Sequence, residues 1–529
     1  MLHTVSDWIA GRCRSMAPEG SLAEWCTDER FYWLPIKLAL FLLLFIYIIY
    51  LVKDFITRNG KNLNFPRYIK LNHIFSSNLE KILVIGLLVI SLGFRLLYIT
   101  QPIKGDEAFT AVWYASKPLY ISQSVYTFPN NHLLNTLLIH FSMKTFGFNE
   151  FAVRLPALLF MLGSIIVLYF IVRHHFNKEV ALLSASMLSA SSVMIEYSVN
   201  GRGYSLMIFF SLLAWYALEK AINHLNYKLV FLASIFASLA IYSILTSVIA
   251  ILGIFIYFLL LNKKDYRPIV KFISLTAIFS LFLYGPVLTV SGISSLFYSG
   301  GGKFPFTAII FSLLSFYFGL LRYFLLGLPP KLFWVFVTLI IGSIVYSVLI
   351  RNKKIWALVS SMLLITTLFV IFLREIPYER IFLFLAPLLY LLIALAGYLF
   401  FKKIRLGMSV LLSMIILVNG FWTFNKINNE QYFQFWGDTR SAANFLKGMS
   451  SSGNCIYLQT NGLQDSLDFY LTPGWMRKHQ CDVSTLTSGT KIISVENVKR
   501  LDISAKGKIS SKKLLINIKD INIYEGIYE

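Results

Sequence analysis

An all-α polytopic membrane bundle of about 12 spans plus one interfacial helix, followed by a small extracytoplasmic α/β domain, is the fold class that this sequence predicts. Three observations carry the prediction. Hydrophobic residues make up 57% of the 529 and charged residues only 14%, whereas soluble domains carry about a quarter charged residues. Apolar runs long enough to cross about 30 Å of hydrocarbon recur along the chain. After Phe424 the composition changes to a polar tail of about a hundred residues. A disordered, collagenous or ordinary soluble protein is thereby excluded. The net charge of +22, from 48 Lys+Arg against 26 Asp+Glu, belongs in such a chain to cytoplasmic loops, and no nucleic-acid partner is expected.

A membrane helix needs roughly 20 residues. Runs that qualify lie near 33–52, 82–100, 152–173, 180–199, 203–222, 228–245, 247–261, 268–290, 331–350, 355–373, 381–400 and 404–424. Residues 306–328 are equally apolar, but Gly319 and Arg322 interrupt them. Short loops rich in Lys and Arg stay cytoplasmic, which orients the bundle. Lys53, Arg58, Lys61, Arg67 and Lys70 follow the first run. Arg173 with Lys178, Lys220 with Lys228, Lys263 with Lys264 and Arg267, Arg351 with Lys353 and Lys354, and Lys402 with Lys403 and Arg405 follow later ones. All six clusters share one side only if 306–328 does not cross, so that run reads as interfacial or re-entrant. Both termini and the loops 101–151, 291–330 and 374–380 then lie outside. The first apolar run begins too late, and is too long, for a cleavable signal peptide.

In the tail, Thr439 to Met449 has helical periodicity, while Cys455 to Gln459 and Lys513 to Ile518 have the pattern of strands. The expected organisation is an outer segment over 1–30, an extra span and cytoplasmic loop over 31–80, the membrane catalytic domain over 81–425 with its outer loop 101–151, and the α/β domain over 426–529. Cys13 with Cys26, and Cys455 with Cys481, form two pairs on the oxidising side, so disulfides are open to both without a fixed connectivity.

Charged residues near hydrocarbon on the outer side need a partner or a task. The first outer loop opens with Lys104-Gly105-Asp106-Glu107-Ala108-Phe109. Adjacent carboxylates suit a general base with an orienting or metal-binding neighbour, although Asp106 is equally placed to cap the next helix. Farther on come Asn130-Asn131-His132, where the histidine reads as a ligand, a hydrogen-bonding group or a cap. Arg154 at the mouth of the third span either binds an anion or snorkels to the headgroups. The turn with Tyr197, Ser198, Asn200, Arg202 and Tyr204 offers a guanidinium shaped for phosphate, with interfacial anchoring as the alternative. In Arg374-Glu375-Ile376-Pro377-Tyr378-Glu379-Arg380 the two glutamates are placed to neutralise both arginines. All four outer clusters nevertheless share one membrane face. No nucleotide-binding Gly-rich loop accompanies them.

Asp106-Glu107 in a long first loop, Asn130-Asn131-His132, the segment Gly147 to Pro156 with Arg154, and Tyr197-Ser198 followed by Arg202 and Tyr204 together resemble the family-39-like polytopic glycosyltransferases of the GT-C superfamily. That group includes protein O-mannosyltransferases and the lipid A aminoarabinose transferase. The resemblance covers about residues 80–425. Arg380 before Pro387 resembles the family's late Arg-Tyr-x-x-x-x-Pro region, with the tyrosine here preceding as Tyr378. Asn200 stands where many relatives have an acid, and Asn130-Asn131-His132 replaces a proline-rich form.

The resemblance implies a polyprenyl-phosphate-sugar-dependent glycosyltransferase, inverting, that acts on a glycan, lipid or protein hydroxyl. Asp106 would take the acceptor proton and Glu107 would orient it or the acceptor. Arg154, Arg202 and Arg380 would stabilise the departing lipid phosphate, and Tyr204 and Tyr378 would donate hydrogen bonds. Asn131, His132 and Arg374 complete the expected substrate contacts. The 306–328 segment would border the lipid groove. No cofactor is assigned, and a divalent metal is left open. The expected setting is a bacterial cytoplasmic membrane with the site facing outward. The competing class is a polytopic lipid or sugar transporter or flippase. Transporters, however, place ionisable residues near the midplane, often in repeats, and neither feature is evident here. A non-catalytic scaffold displaying the tail accounts for the tail but not for the first loop.

Overall fold

The computed structural model describes residues 77–528 except 104, 127–128, 224–225, 263–264, 298–302, 327–329, 350–351, 401–405, 428–438, 450–454, 459–462, 472–490, 498–508 and 519–520. The expected first span 33–52 lies outside the described residues. So do Cys13, Cys26 and Cys481, and with them the cysteine pairings.

The membrane part is a helical bundle, several of whose helices start at short polar residues that satisfy their first backbone N–H groups. Ser77 caps α1 (Asn78–Leu96) by accepting from the Glu80 N–H at 3.2 Å. Asn149 caps α5 (Glu150–His175) and Asn177 caps α6 (Lys178–Ala190) in the same way. Between α1 and α5 the outer loop folds into α2 (Gly105–Phe109), which continues as a π-helix over Thr110–Ala115, then α3 (Leu119–Ser122) and α4 (Leu133–Phe146). After α6 come α7 (Ser192–Ser198), α8 (Tyr204–Asn223), α9 (Tyr227–Ser243), α10 (Val248–Leu261) and α11 (Arg267–Val290). Then follow α12 (Phe306–Phe324), α13 (Pro330–Leu349), α14 (Lys353–Leu373), a 3-10 stretch over Glu379–Leu385, α15 (Ala386–Phe400) and α16 (Leu406–Ile427).

The chain is thus a multi-pass membrane protein. Among the described residues, seven helices are long and apolar enough to cross a bilayer, or eight if α6 and α7 form one broken span. The run expected as one span over 180–199 is bent by 63° between those two helices. Ser191, with ψ 128°, leaves the helical region there. The buried Arg95 of α1 donates to the Ser189 carbonyl at 3.1 Å, a cation at the C-terminal end of α6. The bend carries α7 and the turn after it toward the outer loop. Length alone does not separate α12 from a spanning helix. Its buried side, Ile309, Phe316, Leu320 and Phe324, faces the bundle, while Phe311 and Leu314 are almost fully exposed.

Ion pairs between membrane helices gather at the end remote from the outer loop. Arg173 pairs with Glu80 at 2.6 Å, and Glu219 receives His175 at 2.8 Å and Lys354 at 3.5 Å.

The tail forms a small α/β unit. Its sheet runs β1 (Cys455–Leu458), β2 (Lys491–Asn497), β4 (Ile521–Tyr528), β3 (Ile509–Ile518), with β1 and β2 parallel and the other pairs antiparallel. Alternating Ile493 and Val495, and Ile521 and Ile523, point to one face, as a strand's two-residue period requires. They bury against Ala442, Ala443 and Leu446 of α17 (Thr439–Met449) and Leu467 and Leu471 of α18 (Leu463–Leu471).

Candidate active site

Asp106 lies in the first turn of α2 and is half exposed. Its carboxylate does not cap the helix. Oδ2 instead faces Arg380 Nη1 at 3.4 Å and Arg202 Nη2 at 4.0 Å. Asn130 Nδ2, from the far side of the loop, and Thr110 Oγ1, one turn on, hold the Asp106 carbonyl at 3.2 and 3.1 Å. The π-helical turn that follows, in which Ser116 N–H reaches the Ala111 carbonyl at 2.9 Å, is of the kind found frequently at functional sites.

Glu107, one residue on, points the opposite way and is fully buried. Its two oxygens meet Arg154 Nε, at 3.0 Å, and Nη2, and Oε2 also accepts from the Gly201 N–H at 2.8 Å. Arg154 is equally buried, and its Nη1 and Nη2 donate further to the carbonyls of Tyr98, Ile99, Gln101 and Pro102. Arg154 thus does not snorkel: its guanidinium and the Glu107 carboxylate, both expected at the substrate, are turned to each other in the interior. A buried arginine needs a carboxylate and full hydrogen bonding, and these two residues provide that for each other.

Arg202 is presented by a turn that admits almost no side chains beside it. A Cβ on Gly201 would stand 2.6 Å from Val153 Cγ1, and one on Gly203 2.7 Å from the Ser243 carbonyl. The two flanking amides are pinned, Gly201 N–H to Glu107 and Gly203 N–H to His132 Nδ1 at 2.8 Å. The Arg202 guanidinium then bonds Asn130 through its carbonyl, at 3.2 Å, and its side-chain oxygen. Accepting a backbone N–H at Nδ1 keeps the buried His132 imidazole neutral. Burial, with Arg202 and Arg380 nearby, holds its pKa well below the usual histidine value. His132 therefore acts as an acceptor for the loop.

Asn131 is also turned inward, donating to the Ser122 and Val125 carbonyls and accepting from Thr136. The side chain expected at the substrate is bonded here to the loop's own groups. Tyr204 is buried edge-on against His132, with centroids 5.4 Å apart, and against Tyr197 at 4.6 Å. Tyr197 in turn receives the Tyr323 hydroxyl of α12 at 3.1 Å. Arg380 lies over the exposed Tyr378 ring at 4.9 Å. The expected internal pairing of the 374–380 loop is absent among the described residues, because Arg380 turns to Asp106. Arg374, in the left-handed region at φ 56°, ends α14 and offers its carbonyl to Phe304 at 2.8 Å. Its side chain is exposed.

Asp106, Arg202 and Arg380 thus converge, while Glu107, Arg154, Asn131 and His132 form the scaffold beneath them. Asn130 and Tyr197 belong to the site as well. Both stood in the polar motifs, yet which of two neighbouring asparagines faces the arginine depends on the loop's path. Among the described residues no three His, Cys, Asp or Glu side chains gather as a metal site. Asp106 and Glu107 have separate partners, so the residues present do not fit a shared divalent ion.

Residues 129–289 match the family described as dolichyl-phosphate-mannose-protein mannosyltransferase. The fold matches the crystal structure of ArnT from Cupriavidus metallidurans in the apo state, at 10% identity and TM-score 0.57, over 84% of this chain and 97% of that one. The chain has the GT-C glycosyltransferase fold. The structure of the same Cupriavidus protein bound to undecaprenyl phosphate agrees, at 12% identity and TM-score 0.56 over 85% of this chain and 98% of that one. No curated protein matches the chain in sequence. Within the GT-C fold seen here, Arg202 falls inside the family-matched segment, and Asp106 and Arg380 lie before and after it.

Proposed function

We propose that this protein transfers a sugar from a polyprenyl-phosphate donor to a hydroxyl acceptor on the outer face of a bacterial cytoplasmic membrane, with inversion. One observation carries the reading above all: a half-exposed carboxylate, Asp106, faces two guanidiniums, Arg202 and Arg380, the latter 274 positions further along the chain. The matched mannosyltransferase family and the undecaprenyl phosphate in the ArnT structure support a lipid-phosphate donor.

In the proposed step the acceptor oxygen forms a bond to the anomeric carbon. Its proton passes to the Asp106 carboxylate, and the bond from that carbon to the phosphate oxygen breaks with its electron pair leaving on the phosphate. A single displacement of this kind inverts the centre. Arg380 and Arg202 are the groups that meet the developing phosphate charge, and their forked donors suit two phosphate oxygens at once. Tyr378 holds the Arg380 plane from below, as an aromatic face does for a cation.

The deciding experiment supplies purified protein with a panel of radiolabelled polyprenyl-phosphate sugars and follows label into glycan, lipid and protein fractions. Transfer from at least one donor is the expected result. Label that crosses a vesicle membrane while still on its carrier would instead favour a flippase.

A further inference from the structure

Six consecutive residues lead from the outer end of α1 toward Asp106, and each offers a backbone group to one of three side chains. Arg154 takes the carbonyls of Tyr98, Ile99, Gln101 and Pro102. The other two groups go to the tail. Arg440 of α17 donates to the Thr100 carbonyl at 2.5 Å, and the Tyr470 hydroxyl of α18 accepts from the Ile103 N–H at 2.8 Å. Each set closes on a glutamate. Arg154 closes on Glu107, whereas Arg440 and Tyr470 both donate to Glu150 Oε1, Arg440 Nε at 3.0 Å and the Tyr470 hydroxyl at 2.6 Å. Glu150 opens α5, so the tail is tied at once to the leader and to the helix that carries Arg154.

Two further contacts tie α18 to the same loop. Trp113 Nε1 of the π-helix donates to Asp465 at 2.7 Å, and Phe469 packs on Phe148 at 4.6 Å and among the loop's buried Ile103, Ala108 and Val112. The Tyr470 hydroxyl is a durable link, since burial and then the Glu150 carboxylate push its pKa upward and keep it protonated. Burial works to lower the Arg440 pKa, but Glu150 and Tyr470 more than offset it, so its charge is secure.

We propose that Glu150, Arg440 and Tyr470 are positioning residues: through them the C-terminal domain grips the leader 98–103 and so sets where the Asp106 carboxylate stands. The catalytic part of this statement rests on the sugar-transfer reading above, and the grip itself does not. The Asp106 carboxylate is half exposed; Glu107 and Arg154 fix the helix beneath it, and the tail's contacts with the leader fix the chain that enters that helix. A displacement of about 1 Å at such a group costs on the order of a hundredfold in rate.

Hydrogen–deuterium exchange on the purified full-length protein tests the grip, with Tyr470→Phe as the lead variant because it removes one oxygen and keeps the ring. Arg440→Gln is the second. Exchange across 98–109 should rise about tenfold in both, while strand 491–497 and α8 keep their protection. Unchanged protection at 98–109 would overturn the proposal. So would a rise spread equally over the tail sheet and α8, which marks general loosening. With an active donor in hand, Tyr470→Phe should lower kcat about tenfold and leave the donor KM unchanged. Lost turnover with normal exchange at 98–109 would also refute the grip. Loosened exchange in variants of a protein that transfers no sugar at all would leave the grip standing and remove the glycosyltransferase reading.

Discussion

Asp106 and Arg380 stand 3.4 Å apart across the mouth of the bundle although 274 positions separate them in the chain. Asp106 comes from the first outer loop and Arg380 from the 3-10 stretch that begins α15. Neither is gripped as Glu107 and Arg154 are, and a carboxylate and a guanidinium that both remain accessible can still meet a hydroxyl and a phosphate.

Replacement of Asp106 by Asn should leave folding unaltered and lower sugar transfer by roughly a hundredfold or more, since the amide keeps the size but not the basicity. Near-normal transfer by well-folded Asp106→Asn protein would remove this residue from the mechanism. Glu107 is no substitute for it, because its carboxylate is enclosed.

Arg380→Lys and Arg202→Lys should both impair turnover, because lysine keeps the charge but loses the fork. Arg202→Lys should cost thermal stability as well, for Arg202 also ties Asn130 through two contacts. Arg380→Lys should not, because its described polar contact is the exposed one to Asp106. Steady-state rates alongside melting curves would separate the two.

Glu107→Gln should unfold the loop rather than merely slow the enzyme. Removing one member of a buried ion pair costs about 3–5 kcal/mol. The double variant Glu107→Leu with Arg154→Met should recover part of that loss, because no lone charge is left buried. Equal melting temperatures for Glu107→Gln and the unmodified protein would contradict the buried pairing.

Stability should depend on pH through His132. Its pKa is depressed in the folded protein by burial and by the two arginines, so below the unfolded value of about 6.5 the unfolded chain binds more protons. The contribution is present in full above that value and is lost as the pH falls below it. His132→Asn, which can still accept from the Gly203 N–H, should flatten melting temperature against pH between about 7 and 5. A slope identical to that of the unmodified protein would assign the effect elsewhere.

For α12, the charge distribution predicts that it does not cross. Cysteines introduced singly by Lys303→Cys and Pro330→Cys should react with an impermeant reagent from the same side as Asn130→Cys. Reaction from opposite sides would turn α12 into a span and reverse the orientation of the helices after it.

What the sequence determined by itself was the membrane fold and three elements of its tail, the first helix and the strands β1 and β3. Apolar length and Lys/Arg bias are properties of contiguous residues, so ten of the twelve expected spans each fall on a described helix and the run 180–199 falls on the bent pair α6 and α7, and the Thr439–Met449 helix is matched residue for residue. The polar clusters that meet at the site were legible for the same reason. Tertiary structure alone decided which member of each cluster faces outward. Asp106 and Glu107 are neighbours in sequence, but successive residues of a helix point about 100° apart, and only the approach of Arg154 and Gly201 on one side and Arg380 on the other distinguishes them. The roles of Arg440 and Tyr470 had no signal in the chain, because a surface arginine and a helical tyrosine look alike wherever they dock. Their partners, Thr100, Ile103 and Glu150, lie more than three hundred residues earlier or nearly so, and only folding brings them within hydrogen-bond distance.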